Sequence, residues 1–397
     1  MTAHAEGASP PPPPPPRARA HLIPAAEVVT PDGVLRPGWV EVAGERILAV
    51  GSGRPTRTAD TELPVGTVTA GFVDIHAHGG GGASFTTGKA DEAVEVVRFH
   101  RHHGTTTLMA SLVSAEPEAL LRQVDILADL VQEGLLAGVH LEGPWLAPGK
   151  RGAHDAHALR DPDPAEIARL LRAGRGAVRM VTLAPERTGG LDAVRQLTEE
   201  GVTVAVGHTE ADYETTRMAI QAGARVATHL FNAMPPMHHR EPGPVLALLE
   251  DPRVTLELVA DGIHLHPALL ARVLATAGTD RVALVTDAMS AAGMSDGRYA
   301  LGTLDAVVSD GVARLPSGAI AGSTVNAADL FAAAVGALAE GPEPLIGASR
   351  VTAATPVAAL GLTGVGTVAP DQRADLVVLS PHHSVLKVMA RGRWVHR

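Results

Sequence analysis

The stretch Gly71-Phe-Val-Asp-Ile-His-Ala-His-Gly-Gly80 predicts the fold most directly. Its apolar, β-branched first half leads to His76 and His78, and glycines follow, which is typical of a buried strand that stops at a loop. Alternate side chains of a strand point the same way, so the two imidazoles would project together and could share one metal ion. A lone His-X-His pair is more often structural, so a metal site is indicated only if further ligands occur elsewhere in the chain.

Composition excludes several classes of protein. The 397 residues are 45% hydrophobic, which indicates a globular chain with a sizeable core, and only 3% aromatic, which does not suit a surface for stacking bases. The net charge of −10 argues against nucleic acid and anionic membranes as partners. The absence of cysteine excludes disulfides and thiolate ligands, so a metal would need His and carboxylate ligands.

The sequence predicts a cytoplasmic protein. No apolar stretch approaches the length of a membrane span, and the N-terminus lacks the basic-then-apolar pattern of a signal peptide.

Both ends of the chain differ from the middle in composition and predicted secondary structure. Residues 1–20 contain the proline run Pro10–Pro16 and predict a disordered tail. Short β-rich runs separated by turns occupy 21–66 and return at 362–397. We therefore predict one small β-sandwich domain built from both chain ends.

Residues 67–361 alternate between short apolar runs and helical stretches, in about eight units. This α/β pattern favours a (β/α)8, TIM-like barrel over an open doubly wound sheet. In such a barrel the chemistry lies at the carboxyl ends of the strands.

Polar residues follow the predicted strands at that end. Glu142 follows Gly138-Val-His-Leu, and Asp287 follows Val282-Ala-Leu-Val-Thr. His208 and His229 follow two further strands in the same way. Each alone has an ordinary interpretation as a cap or a loop residue. Together with the first histidine pair they form the mixture of imidazole and carboxylate that a divalent metal prefers, so we predict a metal site.

At this point the chain resembles the N-acetylglucosamine-6-phosphate deacetylase family of the amidohydrolase superfamily, from about Leu22 to the C-terminus. The motifs that carry the resemblance are Asp74-Ile-His-Ala-His-Gly79, His140-Leu-Glu-Gly-Pro144, Lys150-Arg-Gly-Ala-His154, Gly207-His-Thr209, Thr228-His-Leu-Phe-Asn-Ala-Met234, Asp261-Gly-Ile-His264, Thr286-Asp-Ala-Met-Ser290 and Ala321-Gly-Ser323. The resemblance implies an enzyme of amino sugar metabolism with a barrel and a composite β-sandwich, usually homodimeric.

The resemblance also implies the metal ligands. Glu142, His208 and His229 would hold the main catalytic ion, and His76 and His78 would belong to a second position that some family members lack. One or two divalent ions per subunit are therefore expected, with Zn²⁺ favoured and Fe²⁺ as the alternative.

The predicted reaction is hydrolysis of the acetamide of N-acetyl-D-glucosamine 6-phosphate, which gives D-glucosamine 6-phosphate and acetate. A divalent metal would activate water and polarise the carbonyl. Asp287 would take the proton from that water and return it to the departing amine. His154 matches a family histidine near the scissile amide, where it would either stabilise the oxyanion or bind the sugar.

Further residues match the substrate contacts of the family. Arg240 and His264 correspond to its phosphate contacts, and a guanidinium suits phosphate oxygens. In some relatives one cationic contact comes from the neighbouring subunit. The remaining matches in the substrate site are Ala153, Asn232, Ala233, Ile320, Ala321 and Gly322.

Two other functions remain open from the sequence. Another amidohydrolase, acting on a cyclic amide or a different N-acetyl compound, would share the metal residues, although such enzymes often carry a carboxylated lysine where this chain has Glu142. A non-catalytic barrel serving as a binding module would be expected to have lost ligands, and this chain retains them.

Overall fold

The computed structural model describes residues 20–61 and 63–396. The predicted tail, 1–20, lies outside the described residues except for Ala20. The strands are β1 (His21–Thr30), β2 (Gly33–Leu35), β3 (Gly38–Ala43), β4 (Arg46–Ser52), β5 (Leu63–Ala70), β6 (Phe72–Asp74), β7 (Gly79–Gly80), β8 (Ala83–Ser84), β9 (Thr105–Leu112), β10 (Gly138–Glu142), β11 (Val178–Leu183), β12 (Thr203–Val206), β13 (Val226–Ala227), β14 (Thr255–Leu258), β15 (Val282–Leu284), β16 (Gly297–Leu301), β17 (Leu304–Ser309), β18 (Val312–Arg314), β19 (Leu376–Leu379), β20 (Val385–Ala390) and β21 (Arg393–Trp394).

In the described part of the chain, seven helices fall between consecutive strands from β6 to β15, and three follow β18. They are α1 (Ala90–His102), α2 (Pro117–Gln132), α3 (Pro164–Gly174), α4 (Gly190–Glu199), α5 (Tyr213–Ala222), α6 (Gly243–Glu250), α7 (Pro267–Ala277), α8 (Ala327–Ala337), α9 (Pro344–Ser349) and α10 (Thr355–Ala359). Local sequence explains several starts: Pro164 follows the N-cap Asp163, and Asn326 forms a capping box with Asp329. Within the described residues, no helix combines the length and apolar character needed to cross a membrane.

The predicted (β/α)8 barrel is confirmed. β6 and β9–β15 pair in parallel, each with its neighbour in the chain. The barrel closes where Ala77 bridges Ala288 in parallel and the backbone N–H of Asp287 donates to the carbonyl of His76 over 2.8 Å. The first and last strands are therefore joined at the two segments that carry predicted site residues.

Strands from both chain ends share one eight-stranded sheet. β5 pairs antiparallel with β19 and parallel with β1, so the C-terminal strands extend the N-terminal sheet. The apolar face of this sheet and barrel side chains such as Met109 and Met180 belong to one buried cluster. The domain boundaries at 66/67 and 361/362 stay a prediction.

A three-stranded antiparallel sheet, β16–β18, is an element that the sequence interpretation missed. It follows the last barrel strand, and its Leu301 and Ala306 pack with Met289 and Ala321 in a separate buried cluster. Ser290 anchors it, because its hydroxyl donates to the carbonyl of Ala300 over 2.9 Å. This sheet lies beside the carboxyl ends of the barrel strands and contributes to the cavity there.

Candidate active site

The predicted polar residues converge at the carboxyl ends of the barrel strands. Glu142 is the last residue of β10, and His208, His229 and Asp287 come two or three residues after β12, β13 and β15. Their exposure is only 3–7%, and His76, after β6, is fully buried. Parallel strands in a closed barrel bring their ends to one face, which explains why residues far apart in sequence meet there.

Glu142, His208 and His229 bring three donor atoms to one point. The Nε2 atoms of His208 and His229 lie 3.1 and 3.0 Å from Oε1 of Glu142, and 3.0 Å from each other. Donors that bind one ion at about 2.1 Å are roughly 3.0–3.4 Å apart, depending on the bond angle. The three atoms have the spacing of a shared coordination sphere, so these residues fit a divalent metal.

His76, His78 and Asp287 form a second group of possible ligands. The two Nε2 atoms are 3.1 Å apart, and Oδ1 of Asp287 lies 3.6 and 3.3 Å from those of His76 and His78. Glu142 lies between the groups, since its Oε1 is 3.6 Å from Nε2 of His76 and its Oε2 is 3.2 Å from Nε2 of His78. This donor set suits one ion or two.

Backbone carbonyls orient two of the imidazoles. Nδ1 of His208 lies 2.7 Å from the carbonyl oxygen of Lys150, and Nδ1 of His78 lies 3.2 Å from that of Ser111. A carbonyl can only accept, so each Nδ1 carries the proton and donates. In the neutral rings the Nε2 lone pairs are then available to a metal, which is the tautomer that a ligand requires.

Glu257, on β14, is a site residue that the sequence interpretation missed. It is fully buried, and its Oε2 lies 3.1 Å from Nδ1 of His76 and 3.4 Å from the backbone N–H of His229. Oε1 has no hydrogen-bond partner among the described residues. A carboxylate behind a ligating histidine fixes the ring and increases its basicity. The available signal was an acidic residue within the buried strand Thr255–Leu258.

Several site residues hold an unusual backbone conformation. Positive φ angles occur at His208 (48°), His229 (28°), Phe231 (81°), Ala233 (53°) and Asp287 (49°). Residues with a Cβ rarely adopt this region, and such strain tends to collect at functional sites. We infer that the backbone adopts this unfavourable conformation because it places these side chains in the site.

The two central carboxyl groups stay ionised. Burial raises the pKa of Glu142, but the charge of His76 and the hydrogen-bond contacts with His154 and His208 outweigh it and hold that pKa well below its usual range. Burial likewise raises the pKa of Asp287, and the hydrogen bond from His78, with the charge of His76, lowers it further than burial raises it. Both groups are anionic at neutral pH, as metal binding or proton acceptance requires.

His154 is oriented as a hydrogen-bond donor towards the cavity. Its Nδ1 accepts from the backbone N–H of Ser114 over 3.1 Å, so that nitrogen carries no proton in the neutral ring. Burial lowers the pKa of His154 to about 4, against the opposing effect of Glu142. The neutral ring therefore bears its proton on Nε2, which lies 3.3 Å from Oε2 of Glu142.

His264 lies beside Asp287. Its Nδ1 is 2.7 Å from Oδ2 of Asp261, and its Nε2 is 3.7 Å from Oδ2 of Asp287. Burial lowers the pKa of His264, but the hydrogen bond to Asp261 and the charge of Asp287 raise it above its usual value. The surroundings of His264 thus favour its protonated form next to the predicted proton acceptor.

These residues surround a cavity of about 310 Å³. Its predicted lining residues are His78, Glu142, Ala153, His154, His208, His229, Asn232, Ala233, His264, Asp287, Ile320 and Gly322. His76 and Ala321 are fully buried behind this lining. Arg240 is exposed outside it and contacts Nε2 of His239 over 2.8 Å, so within this chain it is not brought to the cavity.

Lys150 is a second residue to which the sequence interpretation gave no role. Among the described residues that line the cavity, it is the one lysine or arginine. Its ammonium group donates to the carbonyl of Met234 over 3.3 Å. Its position in the glycine-rich loop before His154 was visible in the sequence, but the direction of its side chain was not.

Comparison with known proteins agrees with this geometry. Residues 67–395 match the amidohydrolase family, and the chain belongs to that family. It is 34% identical over 380 residues to N-acetylgalactosamine-6-phosphate deacetylase of Escherichia coli O157:H7, covering 94% of this chain and 98% of that protein. It is 33% identical over 364 residues to N-acetylglucosamine-6-phosphate deacetylase of Vibrio furnissii, covering 88% of each.

A solved structure gives a higher identity. The crystal structure of N-acetyl-D-glucosamine-6-phosphate deacetylase from Mycobacterium smegmatis superposes with a TM-score of 0.92 at 50% identity, covering 95% of this chain and 100% of that one. A mutant of that enzyme, in complex with N-acetyl-D-glucosamine 6-phosphate, gives a TM-score of 0.93 at 51% identity with the same coverage.

Proposed function

We propose that this chain is a metal-dependent deacetylase that converts N-acetyl-D-glucosamine 6-phosphate and water into D-glucosamine 6-phosphate and acetate. The observation that carries the proposal is the buried group of Glu142, His208 and His229 beside Asp287, at the mouth of an amidohydrolase barrel. The 50% identity to the Mycobacterium smegmatis deacetylase supports this substrate.

The donor groups supply a place for the metal. Glu142, His208 and His229 would hold one divalent ion, and His76 with His78 would contribute to a second. When bound, such an ion lowers the pKa of water and polarises the acetyl carbonyl. Glu257 would keep the His76 ring in the orientation that directs Nε2 to the ion.

Asp287 is the proposed proton carrier. Its carboxylate is anionic and lies in the cavity, where it takes a proton from the attacking water. The same carboxyl then delivers that proton to the sugar nitrogen as the C–N bond breaks. His264, beside it, would help to hold Asp287 in the ionised form.

His154 is the proposed oxyanion donor. Ser114 fixes its tautomer, so that Nε2–H faces the cavity near Glu142. A preorganised donor of this kind stabilises the negative charge that develops on the acetyl oxygen. Binding of a sugar hydroxyl by the same N–H is the alternative role.

The sugar phosphate would lie across the remaining lining, against Asn232, Ala233, Ile320 and Gly322. We propose that Lys150 supplies positive charge for the phosphate within the chain. Arg240 is exposed in this chain, and its predicted phosphate contact would therefore need a neighbouring subunit or a change in its loop.

We also propose a cytoplasmic homodimer with Zn²⁺ as the native metal. A site of two imidazoles and one carboxylate is chemically suited to zinc, with Fe²⁺ as the alternative. A dimer would allow Arg240 of one subunit to make its predicted phosphate contact in the site of the other.

One second substrate has a specific observation in its favour. The Escherichia coli O157:H7 relative is an N-acetylgalactosamine-6-phosphate deacetylase, 34% identical over nearly the whole chain. The two sugars differ only in the configuration of one hydroxyl, so they would use the same metal and proton chemistry. A cyclic amide substrate and a non-catalytic barrel have no comparable support.

Acetate release tests the proposal. The metal-loaded protein should be assayed with N-acetylglucosamine 6-phosphate, with its epimer N-acetylgalactosamine 6-phosphate, and with unphosphorylated N-acetylglucosamine. We expect the highest kcat/KM for the first and a large loss without phosphate. Equal turnover with and without phosphate would remove the sugar phosphate from the proposal, and a higher kcat/KM for the epimer would reassign the substrate.

A further inference from the structure

A second cavity lies at the opposite end of the barrel from the candidate active site. It measures about 570 Å³ and is lined by the start of β9, by the loop before β10, and by the C-terminal strands of the end sheet. Thr107 and Ala137 mark the barrel side of this cavity, and Arg373 and Trp394 mark the sheet side. Because β9 begins here and ends beside the metal ligands, the two cavities are separated by the length of the barrel.

Arginines dominate the charge of this second cavity. Arg101, Arg373, Arg391 and Arg393 line it, against two glutamates, Glu45 and Glu133. Two of the four arginines have identifiable partners within the chain. Arg373 pairs with the buried carboxylate of Asp375, and Arg391 lies 3.7 Å from Glu45 and donates to the carbonyl of Gly134 over 3.0 Å.

Arg393 is exposed and has no side-chain partner among the described residues, and Arg101 lacks an ion-pair partner although it is partly buried. The Nε of Arg101 is buried and has no hydrogen-bond partner among the described residues, and no described carboxylate lies within ion-pair distance of its guanidinium. Burial lowers the pKa of Arg101, and the charges of Arg391 and Arg373 add to that effect, while Asp375 opposes it. Arg101 is a partly buried cation near two other cations and near the carboxylate of Asp375, which already pairs with Arg373. Such an excess of positive charge is unfavourable unless an anion compensates for it.

We propose that this second cavity binds a small organic phosphate, with Arg101 as the central contact and Arg393 at the rim. Guanidinium groups match phosphate oxygens in geometry and charge. The volume lies within the range of small-molecule sites and exceeds what an inorganic ion needs. Leu108, Leu136 and the Trp394 indole provide an apolar wall for the organic part.

The test is calorimetric titration of the metal-loaded full-length protein with inorganic phosphate and, separately, with glucose 6-phosphate at constant ionic strength. Four proteins are compared: the wild type, Arg101→Gln, Arg393→Gln and the control Arg98→Gln. Arg98 is on the same helix as Arg101 but is exposed and pairs with Glu95. Binding to the active site is common to all four, so differences report the second cavity.

We expect the wild type and Arg98→Gln to bind one equivalent more than the active site accounts for. The affinity of the second cavity should be at least about tenfold weaker in Arg101→Gln. In the wild type, this cavity should bind glucose 6-phosphate more tightly than inorganic phosphate. Acetate release should be unchanged in all variants, which also verifies folding. If Arg101→Gln does not fold, Arg393→Gln carries the test with the same expected direction.

Identical isotherms for all four proteins would overturn the proposal, as would a wild type that binds phosphate at one site only. Equal binding of the two probes would overturn the part of the proposal that concerns the organic group.

Discussion

Replacement of Asp287 by Asn should separate proton transfer from metal binding. Asn has the same shape but cannot accept the proton of the attacking water. Asp287 has φ of 49°, and Asn tolerates this left-handed region better than most residues, so the turn should survive. The three atoms of the Glu142 group lie 3.0–3.1 Å from one another without any contribution from Asp287.

General acid–base catalysis is worth about 10²–10⁴-fold, so kcat should fall by about that factor, equivalent to roughly 3–5 kcal/mol of activation free energy. The assay pairs acetate release with metal analysis of the same preparation, and Glu142→Gln serves as the control that loses the ion. Asp287→Asn should keep at least one equivalent of metal. A variant that turns over within about fivefold of wild type, or that loses all metal, would refute the role assigned to Asp287.

Three further substitutions test separate parts of the site. Glu257→Gln should lower metal affinity at the position of His76 by about 10–100-fold, measured as the metal-to-protein ratio after dialysis; an unchanged ratio would contradict its role. Lys150→Gln should raise KM for the phosphorylated substrate about tenfold with little change in kcat, whereas Arg151→Gln, at an exposed neighbour, should not. His100→Gln should make the stability of the protein less sensitive to acid. Burial lowers the pKa of His100 to about 4, so between pH 6.5 and 4 the unfolded state binds a proton that the folded state does not bind. The folded state of the wild type therefore loses stability as the pH falls. Wild type should lose about 2 kcal/mol more than the variant between pH 7 and 5 in urea unfolding, and equal losses would contradict this.

The barrel and the convergence of the predicted metal ligands were predictable because their signals are local. Each short apolar run ends in a polar residue, and parallel strands bring such ends together whatever the intervening helices are. Glu142, His208, His229 and Asp287 were therefore identified from their positions after strands. Their backbone conformations, with positive φ at three of the four, carried no signal in the sequence.

Features that depend on side-chain direction were not predictable. Glu257 lies on a strand whose two faces cannot be distinguished without the closed barrel, and Lys150 lies on a loop whose path depends on packing. The sheet β16–β18 was missed because its short strands alternate between exposed and buried residues, unlike the continuous apolar runs of the barrel strands. Arg240 matched a family motif, but the structure leaves its side chain exposed, and its phosphate contact stays a prediction.

The central claim is that the Glu142, His208 and His229 group holds the metal that makes deacetylation possible. The most direct test is to strip the purified protein of metal and measure acetate release from N-acetylglucosamine 6-phosphate as Zn²⁺ is added back. We predict negligible activity in the stripped protein and a rise that saturates at one or two equivalents per chain, absent in Glu142→Gln. Full activity in the stripped protein, or the same rise in Glu142→Gln, would contradict the claim.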